Sequence, residues 1–320
     1  MFSACAGESQ RINLIHVQEA QAYSDEKTVF YSNDNLPESQ VAALLNTKIK
    51  LPKKVKIVAG GPNIDVNVNP NFFDQYPFID YAVYGSGEVA FADIVESIIN
   101  NKKLIAFNTS NMAWYDHDKK KQIVADYKYV PTPKVSPYCH NEELLTAMFQ
   151  REHTLDPPRT REDITLPYEV TRGCPYSCTF CDWNSGLTNK VSRRREMFKD
   201  EADLFHRIGF QEINLTDANA GQYDEDVELV KYFAKKNLED NADMRLIVNF
   251  SKLKKENNLK IYHELARGKL SPVIIVSIQD INEQVLLNID RPSLTWDENK
   301  QIMQDLNDNY PQIIYFLILS

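Results

Sequence analysis

Three of the five cysteines of this chain lie within eight positions, in the segment RGCPYSCTFCDWNSG at residues 172–186. Cys174, Cys178 and Cys181 follow the spacing Cys-x3-Cys-x2-Cys. Three thiolates this close together can ligate three irons of a cubane 4Fe–4S cluster, which leaves the fourth iron without a cysteine. An iron with an open coordination position suits the binding of a substrate or cofactor better than plain electron transfer. The spacing therefore predicts an iron–sulfur cluster that takes part in chemistry.

Two other kinds of cysteine site are compatible with this segment. A structural zinc site usually has four protein ligands in paired spacings. Its fourth ligand would have to be distant Cys5, distant Cys139 or a histidine. The other alternative is a Cys-x2-Cys redox pair formed by Cys178 and Cys181. We favour the open cluster over both.

The composition indicates the class of protein that would hold such a cluster. The chain has 320 residues, of which 43% are hydrophobic and 25% charged, enough to bury the cores of two domains. Its net charge of −9 argues against non-specific binding of nucleic acid. No apolar run approaches the roughly 20 residues that span a bilayer, and no signal peptide is visible. The sequence thus predicts a soluble, cytoplasmic protein whose clustered cysteines bind metal rather than form disulfides.

Strand-like and helical segments alternate in the first third of the chain, which predicts parallel β-α units. The buried strand VKIVAGGP ends in a Gly-Gly-Pro turn. FIDYAVYGSGE is another strand, which runs into a glycine turn before an amphipathic helix. We predict an α/β domain with a Rossmann-like parallel sheet over residues 1–105. Residues 106–165, with several prolines and many charges, are predicted to be a linker that wraps between domains, in which YDHDKKKQIV is a polar turn between two short strands.

The alternation resumes in the last half of the chain. Five strand-like runs begin with YEVT and end with QIIYFLILS. The helical patterns among them lie at 195–208, 224–238, 254–268, 281–289 and 296–307. This order predicts a β/α barrel, open or closed, over residues 166–320. The cysteine segment directly follows the first of these strands, in the kind of loop where the active sites of barrels form.

The stretch CPYSCTFC resembles the signature of the radical S-adenosylmethionine (SAM) superfamily, Cys-x3-Cys-x-aromatic-Cys, with Phe180 at the aromatic position. The resemblance implies that the open iron binds SAM and that one electron from the reduced cluster cleaves SAM to methionine and a 5′-deoxyadenosyl radical. This radical abstracts hydrogen from a substrate that the sequence does not identify. A low-potential flavodoxin or ferredoxin would supply the electron. Phe180 either stacks on a purine or packs in a tight loop.

Further polar residues at strand ends resemble recurring family segments. Asp217 and Asn219, in LTDANAG, are candidates for contact near the SAM amino group, with ordinary turn or N-cap roles as the alternative. Gln279 and Arg291 match a Gln or Glu that ends a strand and an Arg that ends the next helix. Either would touch SAM, unless Arg291 only caps a helix C-terminus. Asn249, at the end of the third strand, is a further candidate.

The stretch VKIVAGGPN…FIDYAVYGSGEVAF resembles the second part of the cobalamin-binding domain that precedes many radical SAM barrels. The matching residues are Gly60, Gly61, Pro62, Asp80, Tyr81, Gly85, Gly87 and Glu88. The resemblance implies a glycine-lined sheet edge that a large flat cofactor can approach; tight turns that bind nothing are the alternative. The sequence lacks the Asp-x-His-x2-Gly segment that gives cobalt a histidine in many such domains, and we do not assign His16 as a ligand.

The two ends of the chain raise a further expectation. There is little room for all the usual strands before the cobalamin-like segment, and the apolar run IIYFLILS ends the chain. Related barrels continue into a further loop, helix and strand, so the last strand would leave a sheet edge exposed. We therefore expect two incomplete domains and a second chain that completes the barrel. The sequence as a whole predicts a radical SAM enzyme that catalyses cobalamin-dependent methyl transfer or rearrangement; a non-catalytic iron–sulfur or SAM-binding fragment is the alternative.

Overall fold

The structure is a computed structural model of the chain. It describes residues 13–16, 28–31, 56–61, 64, 66–155, 157–181, 190–194 and 197–319, with only the backbone of some strand residues. The chain divides into two compact units, Phe2–Val130 and Pro131–Ser320. No helix among the described residues is long and apolar enough to span a membrane.

The N-terminal unit contains a six-stranded sheet with the strand order β1-β2-β3-β4-β5-β6. Its strands are β1 (Asn13–His16), β2 (Thr28–Tyr31), β3 (Lys56–Gly60), β4 (Tyr81–Val83), β5 (Met112–Asp116) and β6 (Lys121–Val124). The first four strands pair in parallel, whereas β5 and β6 add an antiparallel hairpin at the edge. The sheet is therefore mixed, whereas the sequence predicts a Rossmann-like sheet that is wholly parallel.

The hairpin lies in residues that the sequence predicts as a linker. It joins the sheet because Met112 and Ala113 of β5 are fully buried against neighbouring apolar side chains. The sheet is covered on both faces, with α1 (Phe72–Gln75) on one side and α2 (Glu88–Asn100) on the other. Burial of both faces explains why the β3 segment is apolar at successive positions instead of alternating.

The C-terminal unit holds two parallel sheets. The first consists of β7 (Thr165–Tyr168), β10 (Glu212–Ala220) and β11 (Arg245–Phe250), in the order β11-β10-β7. The second pairs β12 (Val273–Gln279) with β13 (Ile314–Leu319). Between β7 and β10, β8 (Thr171–Arg172) and β9 (Ser192–Arg193) form a short antiparallel pair. The five strands predicted for a barrel thus belong to two separate hydrogen-bonded sheets among the described residues.

Two helices precede these strands in the described part of the chain, and five more alternate with them as the sequence predicts. They are α3 (Pro137–His140), α4 (Glu142–Glu152), α5 (Phe198–Ile208), α6 (Asp224–Asp240), α7 (Lys255–Arg267), α8 (Glu283–Asn288) and α9 (Trp296–Asn309). The last five lie within a few residues of the predicted helical patterns. Their ends follow local signals: α5 stops at Gly209, whose φ is 105°, and a capping box at Thr295 and Glu298 begins α9.

Core packing in this unit fixes the position of β7, the strand that precedes the cysteine segment. Tyr168 of β7 is fully buried and its ring lies 5.3 Å from the ring of Phe205 on α5. The Tyr168 hydroxyl donates a hydrogen bond of 2.6 Å to Glu201, which also forms a buried ion pair with Arg194. Nε of Arg194 donates to the carbonyl of Glu169 at 2.9 Å. The backbone just before the cysteine segment is therefore fixed by a buried polar network.

Candidate functional site

The three cysteines lie in the loop that follows β8. Cys174 and Cys178 are partly buried and Cys181 is exposed, and none of them forms a disulfide. The amide of Cys181 donates to the carbonyl of Cys178 at 3.0 Å, which bends the chain between these two thiols. Gly173 begins the loop at a φ of +93°, and a Cβ on it would lie 2.1 Å from the carbonyl oxygen of Lys190. Only glycine fits this position.

The middle of the loop is fixed by the residues that follow helix α8. The Thr179 amide donates to the carbonyl of Ile289 at 2.9 Å. The Ser177 hydroxyl donates to Oδ2 of Asp290 at 2.8 Å. Two parts of the chain more than a hundred positions apart in sequence are joined here, so the loop cannot hold this shape without the last third of the chain.

Asn219 of β10 contacts the cysteine loop directly. Its side chain is buried, and its Nδ2 donates a hydrogen bond of 3.0 Å to Sγ of Cys174. Its Oδ1 is also buried and has no hydrogen-bond partner among the described residues. A buried acceptor of this kind is costly unless a donor reaches it. Asn219 therefore holds the first cysteine and offers an acceptor to a bound molecule.

Asp217, two residues earlier on β10, points to the backbone rather than to an open space. Its two carboxylate oxygens accept hydrogen bonds of 2.8 Å from the amides of Val170 and Thr171. Burial raises the pKa of Asp217 to about 6, although these hydrogen bonds act in the opposite direction. Both oxygens of the carboxylate fix the turn between β7 and β8, just before the cysteines.

Arg291 and Phe180 come together beside the loop. The guanidinium carbon of Arg291 lies 6.0 Å from the centre of the Phe180 ring. Arg291 is buried, and its Nε has no partner among the described residues. A cleft of about 320 Å³ lies next to this pair. It is lined by Pro175, Tyr176, Ser177, Leu286, Leu287, Asp290, Arg291 and Pro292.

Lys252 is a site residue that the sequence analysis missed. It follows β11, and its Nζ donates to the carbonyls of Phe250 at 2.8 Å and Ala218 at 3.3 Å. Burial, and after it the positive charge of Arg291, lowers the pKa of Lys252 to about 8, whereas the charges of the three cysteines act in the opposite direction. The sequence does hold a signal for this residue: Lys252 comes directly after a strand of the predicted barrel, where the active sites of barrels form.

Two further predicted residues are not joined to the cysteine loop by any described contact. Asn249 lies on β11 with its side chain exposed, because strand alternation turns it away from the buried side of Val248. Gln279 ends β12 as predicted, but its side chain lies outside the described residues. The structure therefore brings Phe180, Asn219 and Arg291 to the cysteines.

The side chains at the cysteine loop distinguish an iron–sulfur cluster from a zinc ion. Among the described residues, no three Cys, His, Asp or Glu side chains are grouped closely enough to hold one metal ion. A structural zinc site requires four ligands that converge on one ion. A cubane presents separate irons to its thiolates, so its ligands need not converge on one point. Three thiols outside any disulfide, with an Asn donor and two nearby cations, fit an iron–sulfur cluster better than zinc.

The N-terminal unit brings the predicted glycines to one edge of its sheet. β3 and β4 are adjacent and parallel, and Gly60 lies opposite Val83 in their register. Gly60 ends β3 and Gly61 follows it with a φ of 116°. Gly85, shortly after β4, is exposed and has a φ of 65°. Both turns lie at the carboxyl ends of neighbouring strands, where α/β sheets bind ligands.

The buried side chain of Asn111 fixes the second glycine turn, which contains Gly85. Nδ2 of Asn111 donates 3.0 Å to the carbonyl of Ser86, within the turn. Gly87 forms the N-cap of α2, and Glu88 is the first residue of that helix and exposed. Pro62 lies outside the described residues. The turn is thus a fixed, exposed surface of backbone.

Comparison with known proteins identifies the C-terminal region. Residues 168–319 match the profile of the Radical SAM superfamily. The chain is 27% identical over 309 residues to the cobalamin-dependent radical SAM methyltransferase TokK of Streptomyces tokunonensis, a match that covers 89% of this chain and 44% of TokK. It is 26% identical over 251 residues to the 2-(S-pantetheinyl)-carbapenam-3-carboxylate methyltransferase of Streptantibioticus cattleyicolor, covering 78% of this chain and 35% of that protein. The chain spans less than half the length of these relatives.

Solved structures share the fold at low sequence identity. The radical SAM methyltransferase TsrM from Kitasatospora setae, solved with tryptophan and a SAM analogue, has a TM-score of 0.64 and 14% identity, over 94% of this chain and 57% of TsrM. The cobalamin-dependent SAM radical enzyme OxsB, solved with aqua-cobalamin and SAM, has a TM-score of 0.57 and 16% identity, over 90% of this chain and 40% of OxsB. The superfamily match confirms the predicted resemblance to radical SAM proteins, and this family implies a 4Fe–4S cluster and SAM. Residues 168–319 therefore match the Radical SAM superfamily, and the chain as a whole is similar to cobalamin-dependent radical SAM methyltransferases.

Proposed function

We propose that this chain provides the cluster-binding and SAM-binding core of a radical SAM methyltransferase that uses cobalamin. The observation that carries the proposal is the setting of the three thiols. Cys174, Cys178 and Cys181 lie in one loop inside the matched domain, and Asn219 donates to the first of them. In this proposal the three thiolates hold the cluster and leave one iron for SAM.

The residues around the loop have separate roles in this proposal. When bound, the cluster supplies the electron that splits SAM and starts hydrogen abstraction from the substrate. Oδ1 of Asn219 accepts a hydrogen bond from SAM, and Phe180 offers an aromatic face to the purine. Asp217 does not touch SAM; it holds the turn that carries the loop. Orienting SAM and excluding water are the tasks left to the protein.

Cobalamin enters the proposal through the N-terminal unit and through the relatives. Cobalamin dependence is part of the names of TokK and OxsB. The edge formed by Gly60, Gly61 and Gly85 would accept a large flat cofactor against backbone. We propose methyl transfer to an unactivated carbon, with a flavodoxin or ferredoxin as the electron donor. The relatives act on different molecules, so the substrate is left open.

Anaerobic reconstitution tests this function. The purified chain is treated with iron and sulfide, and SAM and dithionite are then added. We expect about four irons and four sulfides per chain, as a cubane requires, and formation of 5′-deoxyadenosine. Substitution of Cys174, Cys178 or Cys181 by Ala should abolish both. Cys139→Ala is the matched control, because Cys139 is also a free, partly buried cysteine, on α3 and outside the loop.

Two results would contradict the proposal in different ways. Stoichiometric zinc without an iron-dependent spectrum would exclude the radical SAM function. A full cluster that binds SAM but gives no 5′-deoxyadenosine with excess dithionite would favour the alternative of a non-catalytic iron–sulfur and SAM-binding protein.

A further inference from the structure

Lys252 is a partly buried cation that forms no ion pair within the described part of the chain. Among the described residues, its Nζ donates to two backbone carbonyls, those of Phe250 and Ala218. Carbonyl oxygens satisfy hydrogen bonds, but they do not neutralise a charge. Burying an unpaired ammonium costs several kcal/mol, and proteins normally avoid it. The position therefore favours a nearby negative charge, which the two carbonyls do not supply.

A second cation makes this need greater. Arg291 is buried, its charge acts on Lys252, and its Nε has no partner among the described residues. Two positive charges that act on each other in a buried setting repel, and each makes the other more costly. An anion nearby offsets this repulsion.

The available negative charges are those of the cysteine loop. Ala218, which accepts from Lys252, is the neighbour of Asn219, and Asn219 bonds to Sγ of Cys174. The three cysteines all act electrostatically on Lys252. A cubane held by three thiolates carries a net negative charge and gains one more on reduction. Net charge and nearby dipoles are among the factors that set the reduction potential of such a cluster.

We propose that Lys252 compensates the charge of the cluster and makes it easier to reduce. This inference rests on the proposed function, since it requires a cluster on Cys174, Cys178 and Cys181. In the step concerned, the oxidised cluster takes up one electron, which dithionite supplies and loses. The ammonium favours the more negative, reduced state. Lys252 does not react with the substrate; it acts on the cluster alone.

Redox titration of the reconstituted chain tests this role. Reduction is followed by the electron paramagnetic resonance signal of the reduced cluster at fixed potentials. We expect Lys252→Met, which keeps an unbranched apolar side chain of similar reach but removes the charge, to shift the reduction equilibrium at least tenfold toward the oxidised cluster. Tenfold corresponds to about 59 mV for a one-electron couple. Lys252→Arg should stay within threefold of the wild type, because it keeps the charge.

Lys254→Met is the matched control. Lys254 is exposed, lies two positions away and precedes α7, so it should leave the equilibrium unchanged. A second measurement uses the cluster-free protein. Removing a partly buried charge that forms no ion pair with the described residues should leave its urea midpoint unchanged or higher, whereas a purely structural lysine would lower it. If Lys252→Met binds too little cluster to titrate, Lys252→Gln replaces it. This variant also removes the charge, and its reduction equilibrium should shift at least tenfold toward the oxidised cluster.

The failures of the two proposals can be told apart. If the wild-type chain binds no cluster, the proposed function is wrong. If the cluster forms and Lys252→Met titrates within threefold of the wild type, the function stands and the role of Lys252 is overturned. This role is also overturned if the variant only weakens SAM binding, since Lys252 would then pair with the SAM carboxylate instead of the cluster.

Discussion

At the residue scale, Asn219 leads to a prediction about SAM binding, because its two polar atoms are used differently. Nδ2 is used by Cys174, and Oδ1 has no partner in the described part of the chain. In the cluster-loaded protein, Asn219→Ala should weaken SAM binding roughly tenfold, the loss of one hydrogen bond of about 1.4 kcal/mol. Equilibrium dialysis with labelled SAM measures this. Asn214→Ala, on the same strand, is the control, and equal affinities in the two variants would exclude the contact.

Asp217 leads to a prediction about pH. The pKa of its carboxyl is raised from 3.8 to about 6 in the folded protein. Between these values the folded state binds more protons than the unfolded state, so this group makes stability fall as pH rises from about 4 to about 6. The full effect is about 3 kcal/mol, at about 1.4 kcal/mol per pKa unit. Above pH 6 it is constant.

Urea unfolding of the cluster-free protein at several pH values measures this effect. Asp217→Asn removes the titrating group, so the free energy of unfolding of the variant should lack this component between pH 4 and pH 6. The other carboxyl groups titrate in both proteins and cancel in the comparison. Parallel pH profiles for the two proteins would show that Asp217 is not the buried acid described above.

At the scale of elements, the turn that starts the cysteine loop is the most sensitive point. Gly173 has a positive φ, and a Cβ there would run into the backbone carbonyl of Lys190. Gly173→Ala should displace the strand pair β8–β9 and reduce bound iron to less than half of the wild-type value. A left-handed conformation costs an alanine about 1–2 kcal/mol by itself, and the backbone clash adds to that cost.

Gly209→Ala provides the matched control for this prediction. Gly209 also has a positive φ, of +105°, but a Cβ there would meet only the flexible end of the Arg161 side chain at 3.3 Å. This variant should lose stability without losing iron. Iron per chain after reconstitution, together with urea midpoints, separates the two effects. Full iron content in Gly173→Ala would mean that the loop adapts to the substitution.

At the scale of the whole molecule, the chain combines two compact units with separate cofactor predictions. His16 ends β1, and β2 lies between this strand and β3 with its glycine edge. His16 lacks the Asp and the Gly that flank the histidine in the cobalt-binding segment Asp-x-His-x2-Gly. Cobalamin bound to the purified chain should therefore carry no protein imidazole on cobalt. Its cob(II)alamin spectrum should lack nitrogen splitting from a protein histidine. Splitting that vanishes in His16→Ala would contradict this.

Much of the fold follows from local patterns. The alternation of strands and helices from Tyr168 onward predicts the parallel pairs and the five helices α5 to α9, because apolar spacing and helix ends are encoded within each segment. The hairpin β5–β6, in contrast, lies in a segment that the sequence predicts as a linker. Its short strands become part of the sheet only through packing of Met112 and Ala113, which the segment itself does not reveal.

The candidate site also combines features that local sequence predicts with features that depend on tertiary structure. The sequence by itself predicted the cluster chemistry, because three cysteines and Phe180 lie within eight positions and one loop can bring them together. Only the tertiary structure decided their surroundings. It turned Asp217 to the backbone, left Asn249 on an exposed face, placed Lys252 where the charges of the cysteines act on it, and placed Arg291 beside Phe180. These positions depend on strand pairing and on contacts between residues more than thirty positions apart, which no local pattern specifies.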